Sequence, residues 1–167
     1  MIKHRHVFLI YLAAFLLQPF LQNLIPVVGN NLNLVLCLTV MFVFVYESPG
    51  QGIFFGSLFA MMSDLFYGQY TGPGALAMVL TGIAVYGLKY FAHIENFLNA
   101  IVFMIGATFV FATVYWGIYA AIDSSYTYGY AMGAMLPQCV INSAVGLGVY
   151  FVLIRRVIKH RRDRYYR

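Results

Sequence analysis

The chain has 167 residues, 62% of them hydrophobic and 9% charged, with ten Lys or Arg against five Asp or Glu and a mean hydropathy of +0.80. A soluble domain carries about a quarter charged residues, because a small globule must cover a large surface with polar groups. The composition therefore excludes a soluble enzyme, a disordered tail and a disulfide scaffold, and predicts an all-α polytopic membrane protein.

The gaps between charges set the expected number of crossings. No Asp, Glu, Lys or Arg lies between Arg5 and Glu47, Glu47 and Asp64, Asp64 and Lys89, Glu95 and Asp123, or Asp123 and Arg155. A helix rises about 1.5 Å per residue and the hydrocarbon core is about 30 Å thick, so roughly 20 apolar residues cross once. In chain order the expected spans are 7–28, 32–46, 52–67, 74–91, 97–122 and 130–154, six helices of one transmembrane bundle, followed by a basic tail over 155–167. The first two are divided by Gly29, Asn30, Asn31 and Asn33, residues that favour turns and whose amides find no partner in lipid. The second and third are short and flank the helix breaker Ser48, Pro49, Gly50. They form either a tight pair or a hairpin that crosses only in part.

With six spans, Lys3, Arg5, Lys89 and the run from Arg155 all fall on one side, and the loops around Asn30, 68–72 and 123–128 carry no Lys or Arg. The positive-inside tendency then places both termini in the cytoplasm of a cell-membrane protein, whereas five spans would split the basic groups. The first span begins like a secretory signal, but its length and the want of a small-x-small cleavage site predict that it stays. Tyr46, Tyr67, Tyr70, Tyr126, Tyr128 and Tyr130 at span ends read as an interfacial aromatic belt.

Residues that carry chemistry are sparse. Cys37 and Cys139 stand in separate apolar spans and read as small buried hydrophobes. His4, His6, His93 and His160 include no i, i+4 pair, so no metal centre is expected. No phosphate loop, nucleophile elbow or paired carboxylate occurs, and neither an enzymatic activity nor a cofactor is expected. The basic tail, with Arg155, Arg156, Lys159, Arg161, Arg162 and Arg164, suits anionic lipid at about 1 kcal/mol per basic residue, or an acidic cytoplasmic partner. Nucleic-acid binding is not expected.

Asp64 is the one acidic group set inside an apolar span, where a carboxylate needs protein or water around it. It belongs to a ladder at four-residue spacing: Gly52, Gly56, Ala60, Asp64, Gly68 and Gly72. Each step drifts about 40° around a helix, so Gly52, Gly56 and Ala60 share a face that lets another helix approach closely, while Gly68, Gly72, Pro73 and Gly74 read as a turn. The expected roles are a packing or partner-binding face and, through Asp64 with the turn, a polar pocket or docking site. Pro137 and Asn142 in the last span read as a break and cap beside that pocket.

The stretch from Gly52 to Gly72 resembles the central signature of the rod shape-determining MreD family, with glycines at four-residue spacing leading into an Asp and two more glycines before the next span. Asn33 followed by Leu34, Val35 and Leu36 is similar to that family's Pro-Asn-Leu-Leu opening of the second span, although Leu32 stands where the family often has Pro and Ala60 where it often has Gly. Leu136, Pro137 and Asn142 resemble its proline followed five residues later by Asn. The resemblance implies a non-enzymatic membrane component of the bacterial elongation machinery. It would bind MreC and work alongside MreB, RodA and a class B penicillin-binding protein in peptidoglycan synthesis. It also implies a six-helix bundle resembling the S-component of energy-coupling-factor transporters, which supplies the alternative function, a vitamin-binding subunit. The alanines that S-components commonly carry on the first helix reduce here to Ala13 and Ala14. An intramembrane enzyme ranks third, for want of a second catalytic group near Asp64.

Overall fold

The computed structural model describes residues 4–46, 48–93, 96–122 and 127–165, with the side chains of Tyr130 and of residues 156–165 outside that description. The described residues form α-helices joined by short connections: α1 (His4–Leu24), α2 (Pro26–Gly29), α3 (Leu34–Val45), α4 (Gly50–Tyr67), α5 (Pro73–Leu88), α6 (Phe97–Ile122) and α7 (Tyr128–Tyr165), with a 3-10 turn over Lys89–Phe91 after α5. No strand occurs among them.

Four segments, His4–Leu24, Pro73–Phe91, Phe97–Ile122 and Ala131–Arg155, are helical and are long and apolar enough to cross a membrane. Their exposed residues are greasy, as an exterior facing lipid requires: Leu9 and Leu16 on α1, Val102 on α6 and Val152 on α7 are all more than half exposed. The expected boundaries hold closely at 97–122, but the first expected span, 7–28, is two helices. Pro26 has no N–H and pushes the residue before it out of the helical region, so Ile25 sits at φ −135° and ψ 80° and starts the separate turn α2. The last helix runs past 154, through the expected tail, to Tyr165.

The helix expected as a short second span, α3, is the axis of the bundle. Every residue from Val35 to Val45 is buried, and α1, α4, α5, α6 and α7 all pack against it. Its 12 residues extend only about 18 Å, too little to reach both faces of a bilayer. A helix enclosed by protein has no need to, provided its unsatisfied end groups find partners inside. At the C-terminal end the Lys89 ammonium donates to the carbonyls of Val43, at 3.1 Å, and Tyr46, at 2.8 Å. It also lies 5.0 Å from the centre of the Tyr86 ring. A cation here opposes the negative end of the helix dipole.

The glycine ladder explains how α4 comes so near. A methyl group at Gly52 would meet Phe42 Cβ at 3.1 Å, and one at Gly56 would overlap the Thr39 side chain. Tyr11, fully buried on α1, completes the junction. Its hydroxyl lies 3.1 Å from the Gly52 carbonyl and 3.2 Å from Thr39 Oγ1, tying α1, α3 and α4 together. Its ring stacks on Phe59 at 6.1 Å between centroids.

Candidate functional site

The polar residues of the bundle concentrate at the N-terminal end of α3. Of the backbone N–H groups that a helix start leaves without an intrahelical acceptor, three here are met by side chains from three places in the chain. Asn33 Oδ1 accepts from Leu36 N–H at 2.9 Å, a local N-cap of the kind Asn favours because its short side chain reaches back to the first turn. Gln18 on α1 clamps the same end from outside: its Oε1 accepts from Leu34 N–H at 2.9 Å, and its amide nitrogen donates to the Leu32 carbonyl. Asn142 on α7, 1% exposed, accepts from Asn33 N–H at 2.9 Å and donates to Thr108 Oγ1 on α6 at 3.4 Å. Cys37 Sγ lies 3.5 Å from the Asn142 carbonyl.

Asp64 stands close by, near the end of α4, and is buried. Its Oδ2 accepts from Gly74 N–H at 2.7 Å and Gly72 N–H at 3.1 Å, so the carboxylate sits on the positive N-terminal end of α5. That geometry gives a buried negative charge both hydrogen bonds and a favourable dipole. The turn is shaped for it. Gly72 has φ +115°, a left-handed conformation that a side chain disfavours. A methyl group at Gly74 would come within 2.6 Å of Asp64 Oδ1.

These elements enclose a cavity of about 380 Å³ between α1, α3, α4, α5, α6 and α7, walled by Asp64, Asn33 and Asn142 together with residues that the sequence reading did not single out, among them Gln18, Gln22 and Gln138. Phe15, Tyr67, Phe111 and Tyr115 add aromatic surface. Along α7 the lining residues are Ala131, Ala134, Gln138 and Asn142, one helix face on which two alanines leave the space and two amides furnish the deeper wall.

Of the residues singled out from sequence, Asn33, Ala60, Asp64, Gly68 and Asn142 border the cavity, while Gly52 and Gly56 lie farther along α4 against α3. Gly68 caps α4, its N–H donating to the Asp64 carbonyl at 2.8 Å. Pro137 is exposed, away from the cavity, and α7 continues through it. Arg155 is exposed at the opposite end of the bundle. The side chains of Arg156, Lys159, Arg161, Arg162 and Arg164, and Tyr126 as a whole, lie outside the described residues. Gln18 and Gln138 carried one usable signal, an amide within an apolar span, where lipid offers it no partner.

No family model matches this sequence, and no curated protein or solved structure matches it either.

Proposed function

We propose that the chain is an MreD-type, non-enzymatic component of the bacterial elongation complex, crossing the cell membrane six times with both termini in the cytoplasm. In this reading α3 and α4 count as the second and third crossings, and the cavity opens to the outside. The observation that carries it is convergence. The three pieces of sequence that resemble the family, Gly52–Gly72, Asn33 with Leu34 to Leu36, and Leu136 and Pro137 with Asn142, are separate in the chain, yet Asn33 bonds directly to Asn142 and both share the cavity wall with Asp64. Motifs that meet around one site are what a common architecture would preserve.

MreC is the proposed partner, with MreB, RodA and a class B penicillin-binding protein in the wider assembly. Because Gly52 and Gly56 are occupied by α3, the surface left for MreC is the exposed side of the bundle and the rim of the cavity. The test is co-expression of the tagged chain with the MreC of the same genome, followed by purification in mild detergent. Stoichiometric recovery of MreC is expected, and its absence overturns the reading.

The cavity favours one alternative, an S-component-like subunit of a vitamin transporter. That reading requires an energising ATP-hydrolysing module in place of MreC and tight retention of a vitamin. The same purification distinguishes the two by which partner comes with the chain.

A further inference from the structure

The cavity at the N-terminal end of α3 has a chemical character independent of either functional reading. Several of its polar groups are already spent on the fold: Gln18, Asn33 and Asn142 cap α3, and Asp64 caps α5. Gln138 is different. It lies nearly three turns into α7, about 15 Å from the first residue of that helix, half-buried in the cavity wall. Among the described residues its amide has no hydrogen-bond partner, and the same is true of Gln22 and of the Asn30 side chain at the mouth. Gln138 is not among the sealed polar groups of the bundle, so its amide is open to whatever fills the cavity, and at that depth lipid offers it no partner. It is accommodated if the cavity admits something polar.

The lining narrows what that is. Among the described residues no Lys, Arg or His lines the cavity, so an anionic group finds no counter-charge there. The Asp64 charge is itself engaged by the start of α5, which leaves little to attract a cation. Free amides offer donors and acceptors side by side, the complement of hydroxyl and amide groups. Phe15, Tyr67, Phe111 and Tyr115 give the rest of the wall an aromatic, apolar border, in which Tyr115 is itself packed against Phe111 and Tyr119. The volume falls in the range of small-molecule sites, about 300–1,000 Å³.

We infer that this cavity binds an uncharged glycosyl group, held by Gln138 and Gln22 with its apolar side toward the aromatic border, either as a free saccharide or as the headgroup of a lipid. The inference rests on the cavity alone and stands whether the chain acts as a scaffold or as a carrier. The test uses the full chain in nanodiscs and two probes: soluble N,N′-diacetylchitobiose, followed by calorimetry, and monoglucosyl diacylglycerol in the bilayer, followed by native mass spectrometry. Saturable binding of the first alone identifies a free saccharide, and saturable binding of the second identifies a lipid headgroup. Gln138→Leu is expected to weaken binding at least tenfold while leaving thermal unfolding of the unliganded protein unchanged. Ala134→Phe, which fills the space without touching an amide, serves as a second variant and is expected to abolish binding. The inference is overturned if neither probe binds, if both variants bind like the parent, or if phosphatidylglycerol is retained as well as the neutral glycolipid.

Discussion

Glycine at position 56 and aspartate at position 64 do different work on the same helix. At Gly56 the requirement is distance, since any side chain collides with Thr39. Gly56→Ala is expected to cost about 1–3 kcal/mol, the usual effect of overfilling a packed interior. Gly87→Ala, at a helical position open to its surroundings, is expected to be neutral or stabilising by up to about 1 kcal/mol. Thermal unfolding in detergent compares the two, and equal effects would contradict the close approach of α4 to α3. At Asp64 the requirement is a charged acceptor for two N–H groups of the following turn. Asp64→Ala is expected to cost about 1.5–3 kcal/mol, with Asp64→Asn losing less because it keeps one oxygen acceptor. An Asp64→Ala protein as stable as the parent would remove the capping role.

Among the helices, α3 shows where reading from sequence stops. The ends of several helices are legible as turn residues and gaps in charge, and α6 matches its expected span because no charged residue, Gly-Pro or Asn cluster interrupts it. The surroundings of α3 are not legible in the same way. A run such as Leu34-Val-Leu-Cys-Leu-Thr-Val-Met-Phe-Val-Phe-Val is apolar on every side, and lipid or protein neighbours demand the same residues. What distinguishes an enclosed helix is the origin of its end caps, and these come from Gln18, Lys89 and Asn142, distant in sequence. Lys89 therefore reads as a topology signal, although in the fold it also closes the C-terminal end of α3. The candidate site was legible in its carboxylate and glycines and in Asn33 and Asn142. Pro137 was singled out as a helix breaker and by its spacing to Asn142, yet α7 runs on through it and it is exposed.

The capping account predicts that Lys89→Met destabilises the protein by about 1–3 kcal/mol, the cost of leaving buried acceptors unpaired. Lys89→Arg, which keeps a cation near the same carbonyls, should retain part of that stability. At the other end, Asn142→Ala removes the acceptor for Asn33 N–H and opens space next to Cys37. In a Cys139→Ala background, Cys37 should then react with a small maleimide several times faster than in the parent, as followed by mass shift. An unchanged rate would place Asn142 outside the packing of α3.

At the scale of the whole molecule, the site and the Lys89 cap belong to opposite ends of one bundle, and the proposed function requires those ends to lie on opposite sides of the membrane. The measurement that tests this most directly is labelling of single cysteines with an impermeant maleimide, in a background lacking Cys37 and Cys139. Thr71→Cys and Asn30→Cys, next to the cavity, should label in intact cells. His93→Cys and a cysteine appended after Arg167 should label only after the membrane is opened. Labelling of Thr71→Cys and His93→Cys from the same side would contradict the six-crossing arrangement and, with it, the outward-facing site.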